Sequence, residues 1–269
     1  MAVRDVDSSF GRFRVDLNED FYGDGFWNRI EDGTFEPDTM SFLKVNVNQN
    51  SDFIDIGAAN GSMTIIAGLV GARVISFEAA PGIFEVADRN VKLNKFTNEV
   101  GVINAAISTR DGVMTFSRES DSNVISAICF SVLQDSLVEI KVLKLSDVIQ
   151  KFHVISRDLV LKVDIEGAEW QLFQDQETIK ALARHKATVL LAIHPGFHRP
   201  YKSLPLGLTL LSKTVWQLRN AIETYRLFKN LLVHAHVQRT SLDLINSPRK
   251  TVALMFGGYF EFILTFDKS

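Results

Sequence analysis

The alternation of short apolar runs with helix-type patterns is the feature of this 269-residue sequence that most constrains its fold. Apolar runs that predict buried strands lie at 53–57, 73–79, 100–108, 159–165 and 188–194. Helix-type patterns separate them, as at 81–94 and about 168–184. Strands that alternate with helices in this way predict an α/β fold, with a mostly parallel sheet covered by helices on both faces.

The N-terminal part of the chain departs from this alternation. Residues 1–50 are acidic and aromatic, and we expect them to form cap elements. Residues 51–269 then form the main part of a single domain, which carries an insertion at about 195–232. The insertion begins as a predicted loop, because the stretch HPGFHRPYKSLPLG contains three prolines and two glycines.

The C-terminal part of the chain has two recognisable elements. Residues 212–232 have the pattern of a basic helix that contains aromatic residues. The run 257–266 is strongly strand-like, and we expect it to pair with residues near 231–238 as a C-terminal antiparallel hairpin. No internal repeat is visible, so one domain with elaborations is the simplest organisation.

The net charge of −3 conceals an asymmetry along the chain. Residues 180–269 carry 13 Lys or Arg against 4 Asp or Glu, whereas residues 1–179 carry 16 against 28. A basic third is typical of proteins with an anionic partner, such as a phosphorylated sugar, a membrane surface or a nucleic acid. Charge balance between two faces of one domain is the alternative, and both interpretations stay open.

Cysteine content and hydropathy exclude several classes of protein. The lone Cys129 excludes an intramolecular disulfide framework and a cysteine-rich zinc site. The N-terminal residues contain no apolar signal core, and the stretch 63–72 is too short to cross a bilayer. We therefore expect a cytoplasmic protein without a transmembrane segment, with peripheral membrane contact as a variant of that expectation. No pattern indicates an oligomeric state.

A glycine loop follows the first predicted strand, in the segment DFIDIGAANGSMT (52–64). Ligands of doubly wound sheets bind at the carboxyl ends of the strands, where glycine lets the backbone approach a ligand closely. The spacing from Gly57 to Gly61 differs from the G-x-G-x-x-G pattern that accommodates a dinucleotide pyrophosphate. Asp55 would repel a phosphate, but it suits the cationic amino-acid group of S-adenosylmethionine.

Two further strand ends extend this candidate nucleoside site. Glu78 ends the second strand, 21 residues after Gly57, where an acidic side chain can accept hydrogen bonds from both ribose hydroxyls. Nicotinamide and S-adenosylmethionine proteins share this feature, so it indicates nucleoside binding only. Ala106 lies near the end of the third strand, where a small residue leaves room for an adenine ring.

The order of several short motifs resembles that of the FkbM-type methyltransferases, a branch of the class I S-adenosylmethionine-dependent enzymes. The resemblance spans about residues 33–195, and its motifs are DIGAANGSMT, FEAAP, NVKLN, AAISTRDG, LKLSDVI and LKVDIEGAEW. The glycine loop has its asparagine one position later than is usual in the family, which shifts a contact to Asn60. The strand ending at His194 lacks the acidic residue that often precedes the histidine.

The resemblance implies a class I methyltransferase Rossmann-like fold, S-adenosylmethionine as cofactor and methyl transfer to oxygen. The implied acceptor is a hydroxyl of a sugar, of a polysaccharide or glycolipid, or of a related natural product. An anionic or membrane-associated acceptor would suit the basic third of the chain. No nucleic-acid partner is expected, because DIEG stands where amino-methylating enzymes carry an Asn/Asp-Pro-Pro-aromatic motif. The predicted cofactor-binding residues are Asp55, Gly57, Ala58, Asn60, Gly61, Glu78, Ala79, Ala106 and Asp164.

Three carboxylates crowd the segment KVDIEGAEW (162–170), directly after a predicted buried strand. Methyl transfer to an alcohol needs a group that removes the hydroxyl proton. We expect Asp164 to be that base or to orient the acceptor, with a helix N-cap as the alternative. His194 ends the neighbouring strand and is the expected partner of Asp164, with a purely structural histidine as the alternative. Glu166 is assigned to the catalytic site as well, and Glu169 to the helix start, where the helix dipole favours an acid.

Other contacts and functions are less constrained by the sequence. Asp164, Glu166 and His194 could also coordinate a divalent cation, but nothing in the sequence demands one and we predict no metal site. Acceptor contacts are expected from Asn123, His198, Arg199 and Tyr201, with ordinary surface loops as the alternative. Two other functions stay open, a non-catalytic S-adenosylmethionine-binding protein and an NAD-dependent oxidoreductase on the same fold.

Overall fold

The computed structural model describes residues 2–17, 23–117, 137–165, 167–194, 209–239 and 260–266. Within them the strands are β1 (Val3–Ser8), β2 (Gly11–Asp16), β3 (Ser51–Ile56), β4 (Arg73–Glu78), β5 (Val100–Ser108), β6 (Gly112–Ser117), β7 (Leu137–Lys144), β8 (Asp158–Val163), β9 (Thr188–Ile193), β10 (His236–Arg239) and β11 (Phe260–Thr265). The helices are α1 (Gly23–Glu31), α2 (Pro37–Asn46), α3 (Ser62–Leu69), α4 (Pro81–Leu93), α5 (Leu145–Phe152), α6 (Glu169–Gln174), α7 (Gln176–Arg184) and α8 (Thr209–His234).

A nine-stranded sheet in the order β10-β11-β9-β8-β3-β4-β5-β7-β6 forms the centre of the fold. The five strands from β9 to β5 in this order pair in parallel, which confirms the parallel sheet predicted from the apolar runs. An antiparallel hairpin lies at each edge, β10–β11 beside β9 and β6–β7 beside β5. The predicted C-terminal hairpin is therefore confirmed.

The order of the strands reverses at β3. The chain moves outward from β3 through β4 to β5 and later returns to β8 on the other side of β3. In open α/β sheets such a reversal leaves a crevice at the carboxyl ends of the strands, and ligands bind there. The topology thus places a candidate site beside the ends of β3, β4 and β8.

Apolar side chains pack on both faces of the sheet. On one face, Phe53 and Leu190 pack in a cluster with Ile65 of α3 and with Trp27 and Phe42 from the N-terminal helices. On the other face, the buried residues Ile54, Leu161 and Val189 join Trp170, Phe173, Ile149 and Leu227 from helices α5, α6 and α8. Helices therefore cover both faces, as the predicted architecture requires.

The predicted helix over about 168–184 is wrong in one respect, because the structure has two helices there. Helix α6 ends at Gln174 and α7 begins at Gln176. Between them Asp175 is extended (φ −74°, ψ 122°), and its carboxylate accepts a hydrogen bond from the backbone N–H of Thr178. An aspartate that caps a second helix ends the first, because its extended backbone cannot continue the helical ladder.

The N-terminal elements are a β1–β2 hairpin followed by α1 and α2. Side chains of α4 and its C-cap pair with the free edge of β2. Asn94 accepts from the backbone N–H of Arg14 and donates to the carbonyl of the same residue, and Asn90 accepts from the N–H of Asp16. Hydrogen bonds from the side chains of Asn90 and Asn94 to the backbone of β2 thus attach the hairpin to α4.

Asp52 lies in β3, at the end of the sheet opposite to the crevice, and we expect its replacement to destabilise the fold strongly. Its carboxylate is fully buried and accepts hydrogen bonds from Arg73, Arg157, His153 and the N–H of Val154. Asp52→Ala leaves these donors without their acceptor, so we expect a loss of about 3 kcal/mol in the free energy of unfolding.

Urea denaturation checks this prediction, with Asp7→Ala as the matched control. Asp7 also pairs with an arginine, Arg12, but both side chains are about two-thirds exposed. Exposed pairs of this kind contribute little to stability, so the control should unfold at nearly the wild-type urea concentration. Equal effects of the two substitutions would contradict the role assigned to Asp52.

Candidate active site

A cavity of about 420 Å³ opens at the carboxyl ends of the central strands. Its floor is formed by the loop after β3 and by the ends of β4, β5, β8 and β9. Of the predicted site residues, the cavity wall includes Gly57, Ala58, Asn60, Glu78, Ala79, Ala106, Asp164 and His194. The structure therefore brings most of the described candidates together at one place.

The first glycine of the loop lies in a position that only glycine fits. Gly57 has φ +87°, and a Cβ built on it would lie 1.9 Å from the carbonyl oxygen of Asp164. Its N–H donates to the carbonyl of Phe77 at 2.9 Å, while the N–H of Asp164 donates to Ile56. The loop is therefore held between β4 and the end of β8 with no room for a side chain.

Glu78 holds the glycine loop against the next loop of the chain. It is 6% exposed, and its two carboxylate oxygens accept hydrogen bonds from the N–H groups of Ala59 and Ala80. Burial raises the pKa of Glu78 to about 7, although these backbone hydrogen bonds oppose the shift. The N–H of Ala79 also bonds this carboxylate, which still retains a lone pair with which it can accept a hydrogen bond from a ligand in the cavity.

Asn60 is a cavity-wall residue whose side chain has a buried donor without a partner among the described residues. The residue is fully buried, its Oδ1 accepts from the N–H of Ser62, and its carbonyl accepts from Asn90. Its Nδ2 is a buried donor without a hydrogen-bond partner among the described residues. Gly61, with φ +82°, packs against Ala87 behind the loop and is not part of the cavity wall.

Asp55 lies beneath the loop, outside the described wall of the cavity. Its fully buried carboxylate accepts from the hydroxyl of Thr64 at 2.9 Å, and that hydroxyl also contacts Ser76. Its second oxygen has no hydrogen-bond partner among the described residues. Burial raises the pKa of Asp55 to about 6. The predicted contact of Asp55 with an amino-acid group stays a prediction, because no cavity-facing atom of Asp55 supports it.

The side chains of Lys162, Asp164 and His194 meet at the ends of β8 and β9. The ammonium of Lys162 donates to Oδ2 of Asp164 at 3.0 Å, and Oδ1 of Asp164 lies 3.5 Å from Nε2 of His194. Burial raises the pKa of Asp164, but the charge and hydrogen bond of Lys162, together with His194 when its ring is protonated, outweigh burial and hold that pKa below its usual value. The predicted pairing of Asp164 with His194 thus corresponds to an observed proximity.

Glu169 has a contact that the sequence did not predict. It begins α6, as expected for an acid at a helix start, and it is fully buried. Its Oε1 accepts from Nδ1 of His194 at 3.0 Å, and its Oε2 accepts from the N–H of Gly167. Because a carboxylate only accepts, Nδ1 carries the proton and Nε2 of the imidazole faces Asp164 and the cavity.

The N-terminal elements supply a further part of the described cavity wall, which the sequence did not predict residue by residue. Phe26 and Phe35 pack with their ring centroids 4.5 Å apart, and the guanidinium of Arg29 lies over Phe35. Glu36 follows with φ 35°, a left-handed conformation that is unusual before a proline. The acidic and aromatic composition of residues 1–50 was the only sequence feature that pointed to a cap in this region.

Several predicted residues lie outside the described part of the chain. These are Glu166, assigned to catalysis, and the acceptor candidates Asn123, His198, Arg199 and Tyr201. Among the described residues, no group of three or more His, Cys, Asp or Glu side chains could hold a metal ion. Within the same residues, no helix is long and apolar enough to span a membrane.

Comparisons with known proteins agree with the geometry. The sequence profile of the methyltransferase FkbM domain matches residues 55–203, more than half of the chain. No curated protein matches the sequence significantly. The topology and this match define a class I methyltransferase fold with S-adenosylmethionine as its cofactor. The chain belongs to the FkbM family of methyltransferases.

Solved structures with a similar fold are distant in sequence. Precorrin-6y C5,15-methyltransferase from Geobacter metallireducens is 13% identical, with a TM-score of 0.32, and the match covers 85% of this chain and 86% of that one. SMU.1697c from Streptococcus mutans, solved in complex with SAH, is 12% identical (TM-score 0.41; 84% and 94% covered). Cofactor-bound Rv0187 from MTB is 13% identical (TM-score 0.39; 87% and 81% covered).

Proposed function

We propose that this protein transfers a methyl group from S-adenosylmethionine to a hydroxyl of a sugar, a polysaccharide or glycolipid, or a related natural product. The observation that carries the proposal is the imidazole of His194, placed between two carboxylates in the wall of the cavity. Alcohols need a base when they are methylated, and a neutral imidazole with one oriented nitrogen is suited to that task.

The residues around the glycine loop fit a nucleoside cofactor. Glu78 has a lone pair for a ribose hydroxyl, Asn60 has a buried donor without a described partner, and Ala106 belongs to an apolar part of the wall. When bound, S-adenosylmethionine supplies an electrophilic methyl group. We assign the methyltransferase domain to residues 51–269, with residues 1–50 as its cap.

The reacting end of the cavity is assigned to His194 and its neighbours. The acceptor O–H bond would break, with its proton moving to Nε2 of His194. The oxygen would use the freed electron pair to displace the methyl carbon from the sulfonium, whose sulfur would keep the electrons of the broken carbon–sulfur bond and leave as the neutral thioether. Glu169 holds Nδ1–H and so fixes the ring orientation, and Asp164 lies where it can accept a hydrogen bond from the protonated ring.

The N-terminal wall suits an acceptor with both apolar and polar faces. Phe26 and Phe35 present aromatic surface, and Arg29 and Glu36 present charged groups beside it. A sugar ring has C–H faces that pack on aromatic rings and hydroxyls that bond charged side chains. We therefore favour a small-molecule or glycan acceptor, methylated in the cytoplasm, at the membrane surface if the acceptor is a glycolipid.

The deciding experiment uses S-adenosylmethionine that carries a ¹³C-labelled methyl group. The protein is incubated with pools of sugars, glycolipids and hydroxylated natural products, and the products are examined by ¹³C NMR. The chemical shift of the labelled carbon distinguishes a methyl ether from an N-methyl or C-methyl product. We expect a methyl ether signal, and its carrier identifies the acceptor.

Two outcomes would contradict the proposal. An N-methyl or C-methyl signal would exclude a hydroxyl as the acceptor. Tight binding of S-adenosylhomocysteine without turnover on any pool would favour a non-catalytic binding protein. A calorimetric titration with NAD tests the oxidoreductase alternative, because the loop spacing should give no NAD binding.

We also expect the affinity for S-adenosylhomocysteine to rise with pH through the titration of Glu78. The ionised carboxylate accepts ribose hydroxyls better than the neutral acid, and the pKa of Glu78 is about 7 in the free protein. Binding should therefore be about tenfold weaker at pH 6 than at pH 8. Isothermal titration calorimetry over this range measures the change.

Two variants make the Glu78 prediction specific. Glu78→Gln should bind more weakly and lose most of the pH dependence, because the amide does not titrate. Glu85→Gln, on an exposed position of α4, should keep the wild-type profile. An unchanged pH dependence in Glu78→Gln would assign the effect to another group.

A further inference from the structure

Lys162 is a buried ammonium inside a strand that otherwise reads as apolar. It is 5% exposed, and its strand neighbours in the sheet are Asp55 of β3 and Leu190 of β9. A buried charge is unfavourable unless it is paired, so the groups that pair with the ammonium of Lys162 indicate the role of this residue. Asp164 is two residues further along the same chain, which places both side chains on one face, and they are 3.0 Å apart.

The charged groups around this pair come from five elements. Asp55 of β3 and Glu36, before α2, act on Lys162, and His194 at the end of β9 lies beside Asp164. Glu261 of β11 in turn acts on Glu36, and Glu169 of α6 contacts His194. Burial by itself lowers the pKa of Lys162. The negative charges of Asp164, Asp55 and Glu36 raise this pKa by more than burial lowers it, so the net shift is upward and Lys162 stays charged. Of these side chains, Lys162 alone is a permanent cation.

We propose that Lys162 is a positioning residue that divides the roles of Asp164 and His194. Its ammonium holds Asp164 as an ionised hydrogen-bond acceptor, and this leaves the imidazole of His194 as the group that takes the acceptor proton. The inference rests on the proposed O-methyl transfer and assigns its base. It also assigns a role to Lys162, a buried residue that the sequence did not predict as part of the site.

The electrostatic reason lies in the two carboxylates beside His194. Asp164 and Glu169 both favour the protonated imidazole, and a protonated imidazole cannot accept a further proton. Lys162 offsets part of the charge of Asp164, which reduces this preference. The same ion pair keeps the Asp164 carboxylate from competing for the acceptor proton.

The test is an NMR titration of the His194 ring, with the signal assigned by its loss in His194→Ala. It uses the full-length protein saturated with S-adenosylhomocysteine and needs no acceptor. Lys162→Met removes the cation, so we expect the His194 titration midpoint to move upward by about one pH unit, a tenfold tighter hold on the proton. Lys92→Met, an exposed control that pairs with Asp88, should leave the midpoint unchanged.

If Lys162→Met fails to fold, a second variant and a measurement on the wild-type protein can still test the proposal. Lys162→Gln removes the charge but can still donate a hydrogen bond to Asp164, and it should give the same upward shift. In the wild-type protein, a His194 ring that stays protonated above about pH 8 would exclude it as the base. An unchanged or lowered midpoint in the folded Lys162 variants would overturn the role of Lys162.

The outcome is separable from that of the proposed function. A methyl ether product together with an unshifted His194 would overturn the role of Lys162 alone. A shifted His194 without any methyl ether product would overturn the proposed function alone. Once the acceptor is known, the acid limb of the kcat/KM profile should move upward in Lys162→Gln, which a purely structural role of Lys162 would not produce.

Discussion

The Gly57→Ala variant is expected to bind S-adenosylhomocysteine about 100-fold more weakly than the wild-type protein. The added Cβ would lie 1.9 Å from the carbonyl oxygen of Asp164 and 2.9 Å from its carbonyl carbon. Both are backbone atoms, so no side-chain rotation relieves the overlap. Alanine is also strained at φ +87°, by about 1–3 kcal/mol. Either the glycine loop or the end of β8 must move.

That movement disturbs both halves of the cavity together. The loop carries Ala58 and Asn60, and the end of β8 carries Asp164. A 100-fold loss corresponds to about 2.7 kcal/mol, which is within the strain that the substitution introduces. Calorimetry measures the loss of affinity, and circular dichroism with thermal unfolding shows whether the variant is folded when it is measured.

Gly101→Ala is the matched control for this prediction. Gly101 lies within β5, where an added Cβ meets no atom within 4 Å and the φ angle is not left-handed. The control should bind S-adenosylhomocysteine within about threefold of the wild type, since neither strain nor overlap arises. Wild-type affinity in Gly57→Ala would show that the close approach to Asp164 is not needed for binding.

The second large effect is expected for His194→Ala in the methyl-transfer assay. Removal of a general base lowers the rate by about 10²–10⁴-fold, and the S-adenosylhomocysteine affinity should change little. Glu169→Gln should have a smaller effect, because the imidazole remains but loses the carboxylate that accepts from Nδ1. Initial rates with the identified acceptor, at saturating S-adenosylmethionine, measure both losses.

His185→Ala serves as the control for a general effect of losing an imidazole. His185 lies at the C-terminal end of α7, before β9 begins, whereas His194 follows the end of that strand. Its ring packs on His153, far from the cavity wall, and the rate should stay near the wild-type value. Equal rates in His194→Ala and the wild type would show that another group is the base.

The predictable part of the fold follows from local patterns. Apolar runs of strand length separated by helix-type patterns specify a parallel sheet, because both faces of each strand must be buried. The strand-like run near the C-terminus predicted the hairpin with β10. The break between α6 and α7 was missed because it depends on a single cap, Asp175, within a sequence of otherwise helical spacing.

The predictable part of the candidate site consists of residues at strand ends. Gly57, Glu78, Asp164 and His194 each follow or end a strand, and parallel strands bring their carboxyl ends to one edge of the sheet. Lys162 was missed although it carried a signal, since a lysine inside an apolar strand requires a buried partner. Glu169 was predicted only as an acid at a helix start, and the sequence did not predict its hydrogen bond with His194.

The sequence by itself determined the alternation of strands and helices in the central sheet, the edge of the sheet that carries the site, and the family. These properties depend on periodicity and on motifs, which neighbouring residues define. Only the tertiary structure decided that Glu169 rather than Asp164 orients the ring of His194 through Nδ1, and that Asp55 lies beneath the loop. It also decided that Phe26, Arg29, Phe35 and Glu36 line the cavity. Such contacts join residues far apart in the chain, so their geometry follows from packing and not from spacing.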